Sequence, residues 1–106
     1  MPKERATRKT TKAEDAALRY LKSVYTATRW ESHGMTLRFP DGDRYTPDIV
    51  GYPGFDFDRI KLIEVKGGYR GPGWEQGHER FKRAKERWGD DYDFVMLHVK
   101  RGEVQE

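Results

Sequence analysis

The 106-residue chain has neither cysteine nor asparagine. The first absence excludes disulfides, cysteine-ligated zinc and thiol catalysis. The second removes a His-Asn-His catalytic site in its usual form. Histidine is scarce as well, and His33, His78 and His98 lack the spacing of zinc ligands. No stretch approaches the roughly 18 apolar residues that mark a membrane span. The basic N-terminus is not followed by an apolar region, so no membrane association and a soluble, cytoplasmic location are expected. Only 35% of residues are hydrophobic. Three tryptophans, six tyrosines and five phenylalanines offset this, because each large ring buries much area in a short chain.

What the chain does have is charge, with 37% of residues Asp, Glu, Lys or Arg and a formal net charge of +3. The net value says little, whereas the distribution is asymmetric. Lys3, Arg5, Arg8, Lys9 and Lys12 crowd the N-terminus, and Arg80, Lys82, Arg83, Lys85 and Arg87 crowd a later segment. Two basic clusters beside an acidic middle suit a polyanionic partner, although a charge run on a helix also serves as a solvated face.

Residues 1–10 are polar and basic without hydrophobic period and read as a flexible arm; residues 11–106 read as one domain. Thr11-Lys12-Ala13-Glu14 fits a capping box, and Leu18, Leu21 and Tyr25 follow at helical spacing, which predicts a helix over about 12–26. Met35–Phe39, the turn Pro40-Asp41-Gly42-Asp43 and Arg44–Tyr52 predict a hairpin. Ile60–Lys66 reads as a third strand. Gly67-Gly68-Tyr69-Arg70-Gly71-Pro72-Gly73 is a glycine-rich loop without the lysine and hydroxyl of a nucleotide-binding loop. A helix is predicted over about 74–88, with Gly89 ending it, and Phe94–Val99 reads as a strand covered on both faces. The fold class is therefore α/β or mixed α+β, in the order helix, three strands, helix, strand.

The third strand reads Leu62-Ile63-Glu64-Val65-Lys66. Side chains alternate across a sheet, so Glu64 and Lys66 share one face with Leu62. Apart from Lys61 their strand neighbours are aliphatic, and an ionised group among them is costly without a partner or a metal. Asp48, in Thr46-Pro47-Asp48-Ile49-Val50, stands on a neighbouring strand if these segments pair. Two converging carboxylates repel each other, and a hard divalent cation with oxygen ligands resolves that conflict. An ion pair between Asp48 and Lys66 without chemical consequence is the alternative. Glu14 continues the stripe of Leu18 and Leu21 toward the core, and it equally fits as the capping partner of Thr11.

Pro47-Asp48, a gap, and Glu64-Val65-Lys66 together resemble the signature of the PD-(D/E)XK nuclease superfamily. The element order from Thr11 to Val99 is similar to that superfamily's restriction-endonuclease-like core, a central mixed sheet flanked by helices. Small stand-alone members are the nearest likeness: the VRR-Nuc proteins and the phage and archaeal junction-cutting endonucleases. The resemblance implies a DNA endonuclease that hydrolyses phosphodiester bonds with Mg2+, for which Mn2+ substitutes. So small a nuclease has little surface to surround a duplex, which suits a junction, a flap or a single strand as substrate. Asp48 and Glu64 would bind the metal with the backbone carbonyl of Val65, Glu14 would match an acidic residue on the first helix, and Lys66 would orient or help deprotonate water. Gln76 lies where some members carry a glutamine motif, but without the aromatic residue at the usual spacing. Arg70, Lys82, Lys85, Lys9 and Arg8 would contact phosphates. RNA as substrate, a homodimer, and a nucleic-acid-binding module or accessory subunit without turnover remain open alternatives.

Overall fold

The computed structural model describes residues 11–27, 29–67 and 72–106, with side chains from residue 75 onward in the last segment. The expected N-terminal arm with Arg8 and Lys9, and Tyr69 and Arg70 of the glycine-rich loop, lie outside the described residues.

Thr11 opens the first helix as its sequence suggests. Its hydroxyl accepts from Glu14 N–H at 3.1 Å, and Glu14 Oε1 accepts from Thr11 N–H at 3.2 Å, which completes a capping box. Helix α1 (Lys12–Val24) ends where Tyr25 turns extended, with its N–H still bonded to the Leu21 carbonyl.

Seven strands are present among the described residues: β1 (Arg29–Ser32), β2 (Leu37–Arg38), β3 (Arg44–Tyr45), β4 (Ile49–Tyr52), β5 (Lys61–Lys66), β6 (Asp93–Lys100) and β7 (Glu103–Gln105). Helix α2 (Pro72–Trp88) stands between β5 and β6. The main sheet has the order β1-β4-β5-β6-β7. Only β5 and β6 run parallel. Parallel pairing requires a crossover connection, and α2 supplies it. The fold is thus mixed α and β with a five-stranded mixed central sheet.

The strand count departs from expectation in three places. Strand β1 contains one large apolar residue, Trp30, and shows little alternation. The second hairpin strand is split, because Pro47 has no N–H to give a ladder and Thr46-Pro47-Asp48 separates β3 from β4. Strands β2 and β3 therefore form a separate two-stranded ribbon, with Leu37 opposite Tyr45 and Arg38 opposite Arg44. Its turn is as expected, with Gly42 at φ 95° and its N–H bonded to the Phe39 carbonyl. Strand β7 is short and largely polar.

The helices cover opposite faces. Ala17 and Leu21 of α1 pack with Ile49, Ile63, Leu97 and Val99. Phe81 and Ala84 of α2 pack with Phe39, Tyr45, Phe94 and Met96. Strand alternation separates the two sets, with Ile63 and Val65 toward α1 and Leu62 and Glu64 toward α2. Strand β5 carries charge into this interior. Lys61 is buried against Tyr25 and Phe57, each ring about 4.8 Å from its ammonium, and pairs with Asp93 at 2.9 Å. Among the described residues, no helix is long and apolar enough to cross a membrane.

Candidate functional site

The β1–β4 and β4–β5 ladders end together at Ile49, and the residues just past that end form the site. Ser32 is opposite Ile49, and Ile49 opposite Ile63. One step on, His33 N–H donates to the Asp48 carbonyl and Asp48 N–H to the Ile63 carbonyl, both at 3.0 Å. His33, Asp48 and Glu64 thus stand in a row across three neighbouring chain segments. Pro47, fully buried, biases Thr46 toward an extended backbone just ahead of this row.

Asp48 Oδ2 accepts from Val65 N–H at 2.8 Å. In an extended strand a residue's N–H and C=O point to the same edge, so the Val65 carbonyl also faces the Asp48 side. The capping box aims Glu14 inward. With Oε1 held by Thr11 N–H, Glu14 Oε2 lies 3.7 Å from His33 Nε2, and Asp48 Oδ1 lies 3.9 Å from the same nitrogen. One potential ligand atom each from Glu14, His33 and Asp48 falls within 4.8 Å of the others. Both readings of Glu14, as cap and as inward carboxylate, therefore hold at once.

Glu64 and Lys66 form the other half. They are 7% and 5% exposed, and Lys66 Nζ lies 3.1 Å from Glu64 Oε2. The buried Tyr45 hydroxyl donates to Glu64 Oε1 at 2.9 Å. A cleft of about 440 Å³ opens beside Glu64, lined also by Arg44, Tyr45, Thr46, Gly77 and Arg80.

Burial and crowding set the electrostatics. Asp48 is pushed up to about 7, first by burial, then by the Glu64 charge and the nearby Glu14, against the opposing Val65 hydrogen bond. Glu64 is also raised by burial, while the Lys66 ammonium and the Tyr45 hydroxyl pull it back. Tyr45 is raised well above the usual phenol range by burial and by Glu64, so it remains a proton donor to that carboxylate.

Of the residues expected from sequence, Asp48, Glu64, Lys66, Glu14 and the Val65 backbone converge here. Lys66 forms an ion pair with Glu64. Gln76 is exposed, one residue before Gly77. Lys82 and Lys85 are exposed on α2, and neither lines the Glu64 cleft, where Arg80 stands instead. Sequence reasoning missed His33 and Tyr45. His33 lies in an unpatterned stretch, remote in sequence from both its neighbours. Tyr45 had a signal, since it alternates with Pro47 toward the buried side just before the key aspartate. Comparison with models of known families, with curated proteins and with solved structures gives no match.

Proposed function

We propose that the chain is a divalent-metal-dependent nuclease that hydrolyses DNA phosphodiester bonds, with Asp48, Glu64, Lys66 and Glu14 at its centre. One observation carries this reading: Glu14 of α1, Asp48 just before β4 and Glu64 of β5 crowd one another, and Glu64 pairs with the buried Lys66 ammonium. The β5-α2-β6 crossover behind that meeting supports the restriction-endonuclease-like core that the sequence resembles.

The donors fit a divalent ion. Asp48 and Glu64 carry raised pKa values because burial and neighbouring carboxylates, Glu64 and Glu14 for Asp48 and Glu14 for Glu64, disfavour their charges, and a cation relieves both. Asp48, Glu14 and the Val65 carbonyl would hold Mg2+ or Mn2+, with Glu64 completing the set. When bound, such an ion polarises a phosphate oxygen and lowers the pKa of water.

The chain's own groups do the rest. Lys66 stands beside Glu64, where it orients water and offsets negative charge that grows on phosphate. Tyr45 fixes the Glu64 carboxylate from its other oxygen. The Val65 N–H fixes Asp48. Arg44 and Arg80, in the adjoining cleft, offer cations to the phosphate backbone.

The test incubates plasmid, single-stranded DNA, a four-way junction and RNA with wild type, Asp48→Asn and Lys66→Ala, in Mg2+, Mn2+ or chelator. Wild type is expected to cut DNA only with metal, and each variant to lose at least about 100-fold in rate. A wild type that cuts nothing, or variants that cut equally fast, would sink the reading. Metal-independent binding without cutting would assign the chain to the accessory, non-catalytic class.

A further inference from the structure

We infer that His33 is a metal-coordinating residue: its Nε2 joins one carboxylate oxygen each of Glu14 and Asp48 in a mixed nitrogen–oxygen centre that selects Mn2+ over Mg2+. The inference rests on the metal-dependent reading above and adds one ligand and the identity of the preferred ion.

The first observation is an unsatisfied atom. His33 Nε2 is buried and has no hydrogen-bond partner among the described residues. Leaving such a group unpaired is costly, so its burial calls for a partner. The imidazole is 13% exposed, and its neighbours Glu14 and Asp48 are comparably enclosed.

Spacing supplies the second observation. Nε2 lies 3.7 Å from Glu14 Oε2 and 3.9 Å from Asp48 Oδ1. Both separations are too long for good hydrogen bonds. They are shorter than the roughly 4.4 Å between donors on opposite sides of an ion at about 2.2 Å from each. His33 Nε2 therefore faces both carboxylates without bonding to either, while Glu14 and Asp48 hydrogen-bond to each other.

The backbone supplies the third. His33 has φ 54°, in the left-handed region that non-glycine residues rarely adopt. Its N–H bond to the Asp48 carbonyl pins the residue there. An extended continuation of β1 would carry the side chain onward along the strand; the left-handed step instead accompanies an imidazole turned toward Glu14 and Asp48.

Ligand chemistry then decides the ion. Mg2+ prefers oxygen and gives up its water reluctantly, whereas imidazole nitrogen suits first-row transition ions. Two carboxylates beside one imidazole retain the oxygen majority that Mn2+ accepts, while the nitrogen raises its advantage over Mg2+.

The test measures metal binding directly. Mn2+ is titrated into wild type, His33→Ala and His33→Asn, with bound ion read by electron paramagnetic resonance and Mg2+ added as competitor. Asparagine tolerates left-handed backbone and lacks a ring nitrogen, so it guards against a folding defect in the alanine variant. Wild type is expected to bind Mn2+ at least about tenfold tighter than Mg2+, and both variants to lose at least about tenfold in Mn2+ affinity with little change for Mg2+. A second readout needs no variant: spin-echo modulation from 14N should appear on Mn2+ bound to wild type. Unchanged selectivity in both variants, bound Mn2+ without nitrogen coupling, or no Mn2+ binding overturns the inference. A protein that cuts DNA with Mg2+ yet shows no nitrogen coupling loses only this inference. One with nitrogen coupling and no cutting loses only the nuclease reading.

Discussion

Gly77, inside α2, lies against the Lys66 ammonium: a Cβ placed on it would come within 2.6 Å of Lys66 Nζ and 3.3 Å of Glu64 Oε2. Glycine inside a helix costs about 0.8–1 kcal/mol relative to alanine, so α2 gives up stability to approach β5 this closely. Gly77→Ala is expected to leave stability within about 1 kcal/mol of wild type, since the gained helix propensity offsets the displaced lysine. DNA cleavage should nevertheless fall at least about tenfold, because the ammonium must move. Urea unfolding and cleavage rates measured on the same preparation check this, and a variant as active as wild type would refute it.

Tyr45→Phe isolates the other contact of Glu64. The phenol donates to a buried, charged oxygen, so its loss removes a bond that favours the ionised carboxylate. Stability at pH 8 should drop by about 1–3 kcal/mol. If cleavage needs ionised Glu64, losing this bond raises the carboxyl further above its usual range and moves the acid limb of the pH–rate profile to higher pH. A profile that keeps its acid limb while stability falls would make Tyr45 purely structural.

Legibility in the sequence followed the strength of local pattern. Strand β5 was readable because Leu62, Ile63 and Val65 frame its charges, and α1 because Thr11 and Glu14 announce its start. The β3–β4 break was concealed, since the apolar residues run through Pro47 and only the missing N–H interrupts the ladder. Strand β1 was hidden because Trp30 alone marks it. The carboxylate half of the site was visible as type and spacing. His33 was not, because its place depends on one left-handed residue and on register across three segments, which no local periodicity encodes. Arg83 also reads differently in three dimensions: it bonds Asp41 at 2.6 Å and Asp43 at 3.3 Å and lies over Phe39, so part of the basic cluster anchors the β2–β3 turn.

Asp48 makes the metal-free protein sensitive to pH in a direction opposite to an ordinary paired carboxylate. Its ordinary value of 3.8 is raised to about 7 on folding. Between those values the folded chain holds a proton that the unfolded chain has lost, so stability declines as pH rises. The penalty is absent well below 3.8 and complete above about 7. Urea midpoints in chelator should therefore fall across this window, and Asp48→Asn should flatten that fall. Asp41, lowered by the Asp43 N–H and by Arg83, works in the other direction, so the difference between wild type and Asp48→Asn is the readout. Saturating Mn2+ should restore stability at pH 8, in proportion to the logarithm of its concentration over Kd. Equal slopes in wild type and Asp48→Asn would contradict the raised value.

Arg80 and Arg83 share a helix but are expected to separate in their effects on DNA. Arg80 lines the cleft with Glu64 and has one long contact to Asp43, at 3.7 Å, whereas Arg83 is held by two aspartates. A guanidinium already paired twice releases few counterions from DNA, while one facing the cleft is available to a phosphate. Arg80→Ala should therefore weaken binding on every DNA sequence and reduce the slope of log affinity against log salt by about 1. Arg83→Ala should loosen the β2–β3 turn and leave that slope unchanged. Fluorescence anisotropy with labelled DNA at several salt concentrations, with Ca2+ as the divalent ion, distinguishes the two. A larger slope change for Arg83→Ala than for Arg80→Ala would move the phosphate path away from the Glu64 cleft.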